Sequence, residues 1–262
     1  MKIGFFDSGL GGLLVLNAVR QLLPDYDYLY LGDTLHVPYG NRSAQAIYTL
    51  TQKAVAYLFA HNCQLVIIAC NTASASALRQ LQQQWLPAHY PNRRVLGVVV
   101  PTAEAVAESG CQNVGLIGTT YSVKSGVYAE ELAKRNPNIS LHSIATPLLV
   151  PLVEHDGAQF AAPIVAHYLE SLIDKKIDGL MLGCTHYPML RHVIEAALPT
   201  GVKLFDQTQI IPQKLADYLT SHQADIASHL SQGGTCAYHF TDAPNAALMQ
   251  LVPQDQAEIV VV

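Results

Sequence analysis

Short apolar runs alternate along the chain with stretches whose apolar residues recur at helical spacing. The runs fall at 2–6, 27–31, 65–69, 95–100, 113–117, 140–145, 179–183 and 202–205, and each has the length of a strand rather than of a helix. Between them, Ile47, Leu50, Ala54, Val55 and Leu58 share one helical face, and Met189, Leu190, Val193, Ile194, Ala197 and Leu198 repeat the pattern. Strict alternation of the two element types predicts an α/β fold, with open, mainly parallel sheets covered by helices on both sides. A further return strand is expected over 236–240, and no stretch reads as low-complexity sequence or as a flexible linker.

The chain also carries a weak internal repeat. Val66-Ile67-Ile68-Ala69-Cys70-Asn71-Thr72 is matched by Leu180-Met181-Leu182-Gly183-Cys184-Thr185-His186: three apolar residues, a small one, a Cys, then two polar ones. Upstream, Gly4-Phe5-Phe6-Asp7-Ser8 and Gly115-Leu116-Ile117-Gly118-Thr119 precede the two cysteines at nearly the same distance. Two similar α/β units, each with a Cys at the end of a strand, account for this. Chance likeness of a few letters is the competing account.

Composition narrows the chemistry. The chain has 262 residues, 50% of them hydrophobic and 13% charged, with a formal net charge of −5, so the basic footprint of a nucleic-acid binder is missing. No apolar run approaches the roughly 20 residues of a membrane span. The opening MKIGFFDSGLGG lacks the apolar core of a signal peptide, which makes a cytoplasmic location the expectation. Five cysteines, none in a CxxC pair, indicate free thiols rather than a disulfide framework or a zinc ribbon. No cluster is spaced as metal ligands and no Lys sits in a recognisable pyridoxal context, so neither metal nor cofactor is expected.

In open α/β sheets, ligands bind beyond the carboxyl ends of the strands. Those ends read Asp7-Ser8-Gly9, Gly32-Asp33-Thr34, Cys70-Asn71-Thr72, Gly118-Thr119-Thr120 and Cys184-Thr185-His186, which suits a small, polar ligand. Cys70 precedes Asn71, Thr72 and Ser74, all good N-caps for a helix over 75–84, where backbone N–H groups stabilise a thiolate. Cys184 has a similar setting, with Pro188 placed for a first helical turn. A buried apolar Cys is the plain alternative for each, and a backbone-satisfied core residue the alternative for His186. Cys63, Cys111 and Cys236 lack the strand-end setting and read as structural. The glycines of 9–12 predict a tight turn whose amides face an anion; they match no nucleotide-binding pattern, and a carboxylate suits them. Asp7 either orients an ammonium group, relays a proton or only caps the helix. Pro38-Tyr39-Gly40 reads as a turn near the ligand or as loop punctuation, and Glu154 as a supporting carboxylate or a solvated one.

Taken together, FDSGLGG (6–12), GDT (32–34), VPYG (37–40), ACNTAS (69–74), Gly118-Thr119 with Ser122, Ser125 and Tyr128, VPLVE (150–154) and GCTHYP (183–188) resemble the glutamate racemases, in order, from about residue 3 to 206. The resemblance implies two pseudosymmetric α/β domains with the active site between them, 1–98 plus 205–262 forming the first and 99–204 the second. It implies cofactor-independent interconversion of L- and D-glutamate, Cys70 acting on D-glutamate and Cys184 on L-glutamate, with Asp7, Asp33, Glu154 and His186 assisting. Substrate contacts would come from Asp7, Ser8, Pro38, Tyr39, Gly40, Asn71, Thr72, Thr119, Ser122, Thr185 and His186. The partner implied is small-molecule glutamate, with D-glutamate supplied to peptidoglycan; a homodimer is compatible with the sequence but not specified by it. Some members carry an N-terminal extension tied to activation by a cell-wall precursor; here the first strand begins at residue 2, and no such regulation is expected. Ser122 replaces the family's usual Thr, and Asp206-Gln207-Thr208-Gln209 its Asp-Ser pair, without touching either thiol. Three other readings stay open. An aspartate racemase differs only in substrate. A Cys184–His186 nucleophilic enzyme leaves Cys70 idle. A non-catalytic amino-acid-binding module would bind without exchanging the α-proton.

Overall fold

The computed structural model describes residues 1–243, 248–253 and 258–262. Among the described residues, ten strands form two sheets: β1 (Lys2–Asp7), β2 (Tyr28–Gly32), β3 (Cys63–Ile68), β4 (Arg94–Gly97), β5 (Asn113–Gly118), β6 (Ser140–Ala145), β7 (Gly179–Gly183), β8 (Lys203–Phe205), β9 (Cys236–Phe240) and β10 (Glu258–Val261). The first sheet has the order β10-β9-β2-β1-β3-β4 and the second β6-β5-β7-β8, and each recorded strand pair is parallel. The run β2-β1-β3-β4 and the run β6-β5-β7-β8 follow the same order. The internal repeat is therefore a repeat of topology, with β3 and β7 as equivalent central strands.

The near-continuous apolar runs follow from burial on both faces. On one face of the first sheet Ile3, Phe5, Tyr28, Tyr30, Leu65 and Ile67 join one core; their neighbours Phe6, Leu29, Leu31, Val66 and Ile68 point the other way into a second. The second sheet divides likewise, Ile117, Leu180 and Leu182 on one side, Val114, Leu116 and Met181 on the other. Phe5 is wholly buried at the centre of this pattern. Phe5→Ala is expected to cost about 3–5 kcal/mol, read as a lowered denaturation midpoint at unchanged m-value.

The chain leaves the first sheet through the helix Val99–Glu108 and returns through the helix Gln207–Ser221. The apolar run at 95–100 was expected to be strand throughout; instead Val99 and Val100 open that helix, with Pro101 in its first turn, where a missing N–H costs nothing. The helix expected over 75–84 begins earlier, at Asn71, and passes through a π-helical turn, Leu81–Trp85, before it ends. The strand at 236–240 is present, and β10 lies beyond it with no sequence expectation. Residues 244–247 and 254–257, within the stretch assigned above to the first domain, lie outside the described residues. Among the described residues no helix is long and apolar enough to cross a membrane.

Candidate active site

Cys70 follows β3 and Cys184 follows β7, both buried. Cys70 Sγ donates to Ser8 Oγ at 3.3 Å and accepts from the backbone N–H of Ala73 at 3.4 Å. The thiol is thus itself the N-cap of the helix Asn71–Gln80. Asn71, Thr72 and Ser74, the expected caps, lie inside that helix because the chain turns helical directly after the cysteine. Burial pushes the Cys70 thiol up to about 12; the Asp7 and Cys184 charges push the same way, and the Ser8 and Ala73 donors oppose them.

Cys184 has different company. Its Sγ lies 3.6 Å from Nδ1 of His186, whose Nε2 meets the Glu154 carboxylate. Burial disfavours a charged imidazole, but the sulfur and the carboxylate that flank the ring outweigh it and hold His186 well above its ordinary value. The sulfur on one side and the Glu154 carboxylate on the other thus both favour the protonated ring. Pro188 stands in the first turn of the short helix Tyr187–Leu190, as its position in the sequence suggests.

Asp7, wholly buried at the end of β1, joins the two halves. It accepts from the Gly9 N–H at 3.1 Å and from the Thr185 hydroxyl at 3.2 Å, and it also receives the Gly12 N–H. Amides expected to face a ligand anion are therefore spent on the protein's own carboxylate. Burial raises Asp7 above the usual carboxylate value despite His186 and these donors. The glycines serve close packing: a Cβ at Gly12 would stand 2.5 Å from Asp7 Cβ, and one at Gly11 would stand 2.7 Å from Thr185 Oγ1.

Asp33, after β2, accepts from the Tyr39 hydroxyl at 2.5 Å and the Thr241 hydroxyl at 2.7 Å, and faces His36 Nδ1 at 2.8 Å. Its carboxylate holds the loop that carries Pro38, Tyr39 and Gly40. A Cβ on Gly40 would meet Thr119 Cβ at 2.6 Å, so this loop too is pressed against the second half.

These elements enclose a cleft of about 20 Å³ with both thiols in its wall. Ser8, Pro38, Tyr39 and Gly40 line it from the first strand ends, Asn71 and Thr72 from the helix after Cys70, and Thr119, Thr185 and His186 from the second sheet. Asp7, Asp33, Glu154 and Ser122 stand one contact behind. Ser122, for example, receives the Thr119 hydroxyl at 3.0 Å and lies 3.3 Å from the Thr72 hydroxyl. Val37 and Val150 complete the wall and were not singled out from the sequence; both belong to quoted motifs, but an apolar side chain gives no chemical signal of its own. Larger cavities lie elsewhere, about 450 Å³ beside Arg79 and Glu131 and about 360 Å³ beside Leu215 and Tyr218, and neither contains a thiol. Cys63, Cys111 and Cys236 are buried and unpaired, away from the cleft. Asp206 caps the helix Gln207–Ser221 through the N–H groups of Thr208 and Gln209 and pairs with Arg191. Among the described residues no group of three or more His, Cys, Asp or Glu is arranged to hold a metal ion.

The chain is 42% identical over 235 residues to the glutamate racemase of Roseobacter denitrificans, covering 85% of this chain and 86% of the relative. Among solved structures it resembles the Francisella tularensis glutamate racemase in complex with D-glutamate, with a TM-score of 0.87 at 29% identity, covering 100% of this chain and 97% of that one. The Thermus thermophilus glutamate racemase in complex with β-chloro-D-alanine gives a TM-score of 0.83 at 36% identity, covering 100% and 96%. The family model for Asp/Glu/hydantoin racemases matches residues 14–215, a span that contains both strand-end thiols, and the chain belongs to that family.

Proposed function

We propose that Cys70 and Cys184 are the acid/base pair of a glutamate racemase, one thiol serving each face of the substrate's α-carbon. The observation that carries this reading is the pair of buried thiols in the wall of one cleft, each at the end of an equivalent strand. Inversion without a cofactor needs a base on one side and an acid on the other. Glutamate is favoured over aspartate by the names of the relatives that match along most of the chain. A Cys184–His186 nucleophile would leave Cys70, with its own hydrogen-bond partners, no task.

The two settings divide the work. His186 sets a ring nitrogen 3.6 Å from the Cys184 sulfur, a partner for the proton that this thiol gives up or takes. Burial keeps Cys70 protonated at neutral pH. With L-glutamate, the Cys184 thiolate removes the α-proton and the Cys70 thiol delivers another from the opposite face; D-glutamate runs the same steps in reverse. The carbanion-like transition state draws stabilisation from donors on the substrate carboxylate, for which Thr72, Thr119 and Thr185 line the cleft. The cleft has room for little more than one water, so substrate entry requires the halves to part. Asp7, Asp33 and Glu154 assist through Thr185, Tyr39 and His186. The proposed setting is cytoplasmic, with glutamate as the partner, neither nucleic acid nor membrane engaged, and D-glutamate passed to peptidoglycan.

Proton NMR in D₂O tests the reading. L-Glutamate incubated with the protein is expected to yield D-glutamate deuterated at Cα from the first turnover, while the remaining L-glutamate keeps its α-proton. Deuterium entering L-glutamate without inversion would contradict two opposed bases, and no exchange by folded protein would remove glutamate as substrate.

A further inference from the structure

Asn71 follows Cys70 directly, and its side chain is wedged between the cleft and the second half of the molecule. Its Oδ1 receives the phenol of Tyr128, a buried residue of the helix Val127–Arg135. Its Nδ2 is buried and has no hydrogen-bond partner among the described residues, and Asn71 itself lines the cleft. A buried N–H₂ without an acceptor is costly, so a group that faces it across the cleft is bound to be an acceptor. Which end of an amide faces the cleft is decided by what holds the other end. We propose that Tyr128 is a positioning residue: by donating to Oδ1 it locks the Asn71 amide with its N–H₂ toward the cleft, where that N–H₂ donates to a carboxylate oxygen of the amino-acid substrate.

Two facts support the direction of the lock. The Tyr128 hydroxyl has no recorded hydrogen-bond partner besides Asn71 among the described residues. Burial, with the Cys184 and Cys70 charges adding to it, holds its phenol well above the ordinary value, so the O–H remains a donor throughout the working pH range. Without that O–H the amide is free to turn its oxygen into the cleft, and an oxygen there repels a carboxylate.

The inference rests on the glutamate reading, and the experiment separates the two. Wild type is first assayed for glutamate racemisation; its inactivity would remove the substrate reading. Given active wild type, Tyr128→Phe is expected to raise KM for both enantiomers about 10- to 100-fold while kcat stays within about threefold, because the thiols are untouched. Adding Tyr128→Phe to Asn71→Ala should leave KM where Asn71→Ala alone puts it. An unchanged KM in Tyr128→Phe, or additive effects in the double variant, would overturn the assignment. A second pair of variants reads the same amide without altering Tyr128. Asn71→Asp keeps an oxygen for the phenol and turns the donor into an acceptor, so it should bind glutamate more weakly than Asn71→Ala; equal or tighter binding would overturn the assignment as well.

Discussion

Cys70→Ser and Cys184→Ser are each expected to lower racemisation in both directions by about 10²- to 10⁴-fold, because a serine hydroxyl is too weak an acid to replace a thiol at either station. Neither direction should be spared, since in the proposed mechanism each turnover uses one group to remove the proton and the other to supply it. The Cys70 variant separates chemistry from stability. Cys70 caps the helix Asn71–Gln80 through a sulfur that accepts the Ala73 N–H at 3.4 Å. Serine is a better N-cap, so Cys70→Ser is expected to melt at or above the wild-type temperature, whereas Cys70→Ala, which has no cap, loses about 0.5–2 kcal/mol. An inactive protein with an intact or raised melting temperature ties the defect to the reaction. More than about 1% residual activity in either serine variant would mean that the thiol is not an obligatory acid/base.

His186→Gln is expected to reduce kcat/KM by about 10²- to 10³-fold by removing the cation that faces the Cys184 sulfur. The pH dependence follows from the direction of the shift. His186 is held above its ordinary value by Cys184 and Glu154, so its charged form persists through neutral pH and is lost as pH rises through the folded value. The same sign governs stability. The contribution of the flanked imidazolium is complete below about 6.5, the unfolded value, and disappears on the alkaline side. Wild type should therefore lose melting temperature relative to His186→Gln as the pH is raised, and gain it back on acidification toward 6.5. Parallel melting curves for the two proteins over that range would show that His186 is neutral in the folded state. Glu154→Gln, which removes one of the two flanking groups, is expected to move the alkaline limb of activity to lower pH.

The strands were legible because their apolar runs are buried on both faces, and the thiols because each ends a run that otherwise holds no polar atom. Val98 to Val100 looked like more of β4 only because apolar residues open a buried helix as readily as they close a buried strand. The capping by Cys70 was hidden by its neighbours, since Asn71, Thr72 and Ser74 are better caps by type. β10 left little trace: three of its four residues are exposed, and nothing in Glu258 to Val261 separates an edge strand from a tail. The glycines of 9–12 were recognised as a turn, but that their amides close on Asp7 depends on how tightly the turn folds back. Contacts that complete the site, such as Thr185 to Asp7, His186 to Glu154 and Tyr128 to Asn71, join residues far apart in the chain, and local pattern does not encode them. Family motifs brought most of these residues to notice; only the folded chain shows which of them touch.

The unlike company of the two sulfurs, Ser8 and Ala73 for one and His186 with Glu154 for the other, has a consequence for left- and right-handed substrate. No arrangement of L-amino acids contains a mirror plane, so the cleft cannot present mirror-image surroundings to mirror-image molecules. Thermodynamics nonetheless equates the free energies of the enantiomers in water, which forces kcat/KM to be the same for both at every pH. Affinity and turnover number are under no such constraint individually. Each hand of glutamate is free to bind with its own strength and leave at its own pace, provided that any advantage in one is cancelled in the other.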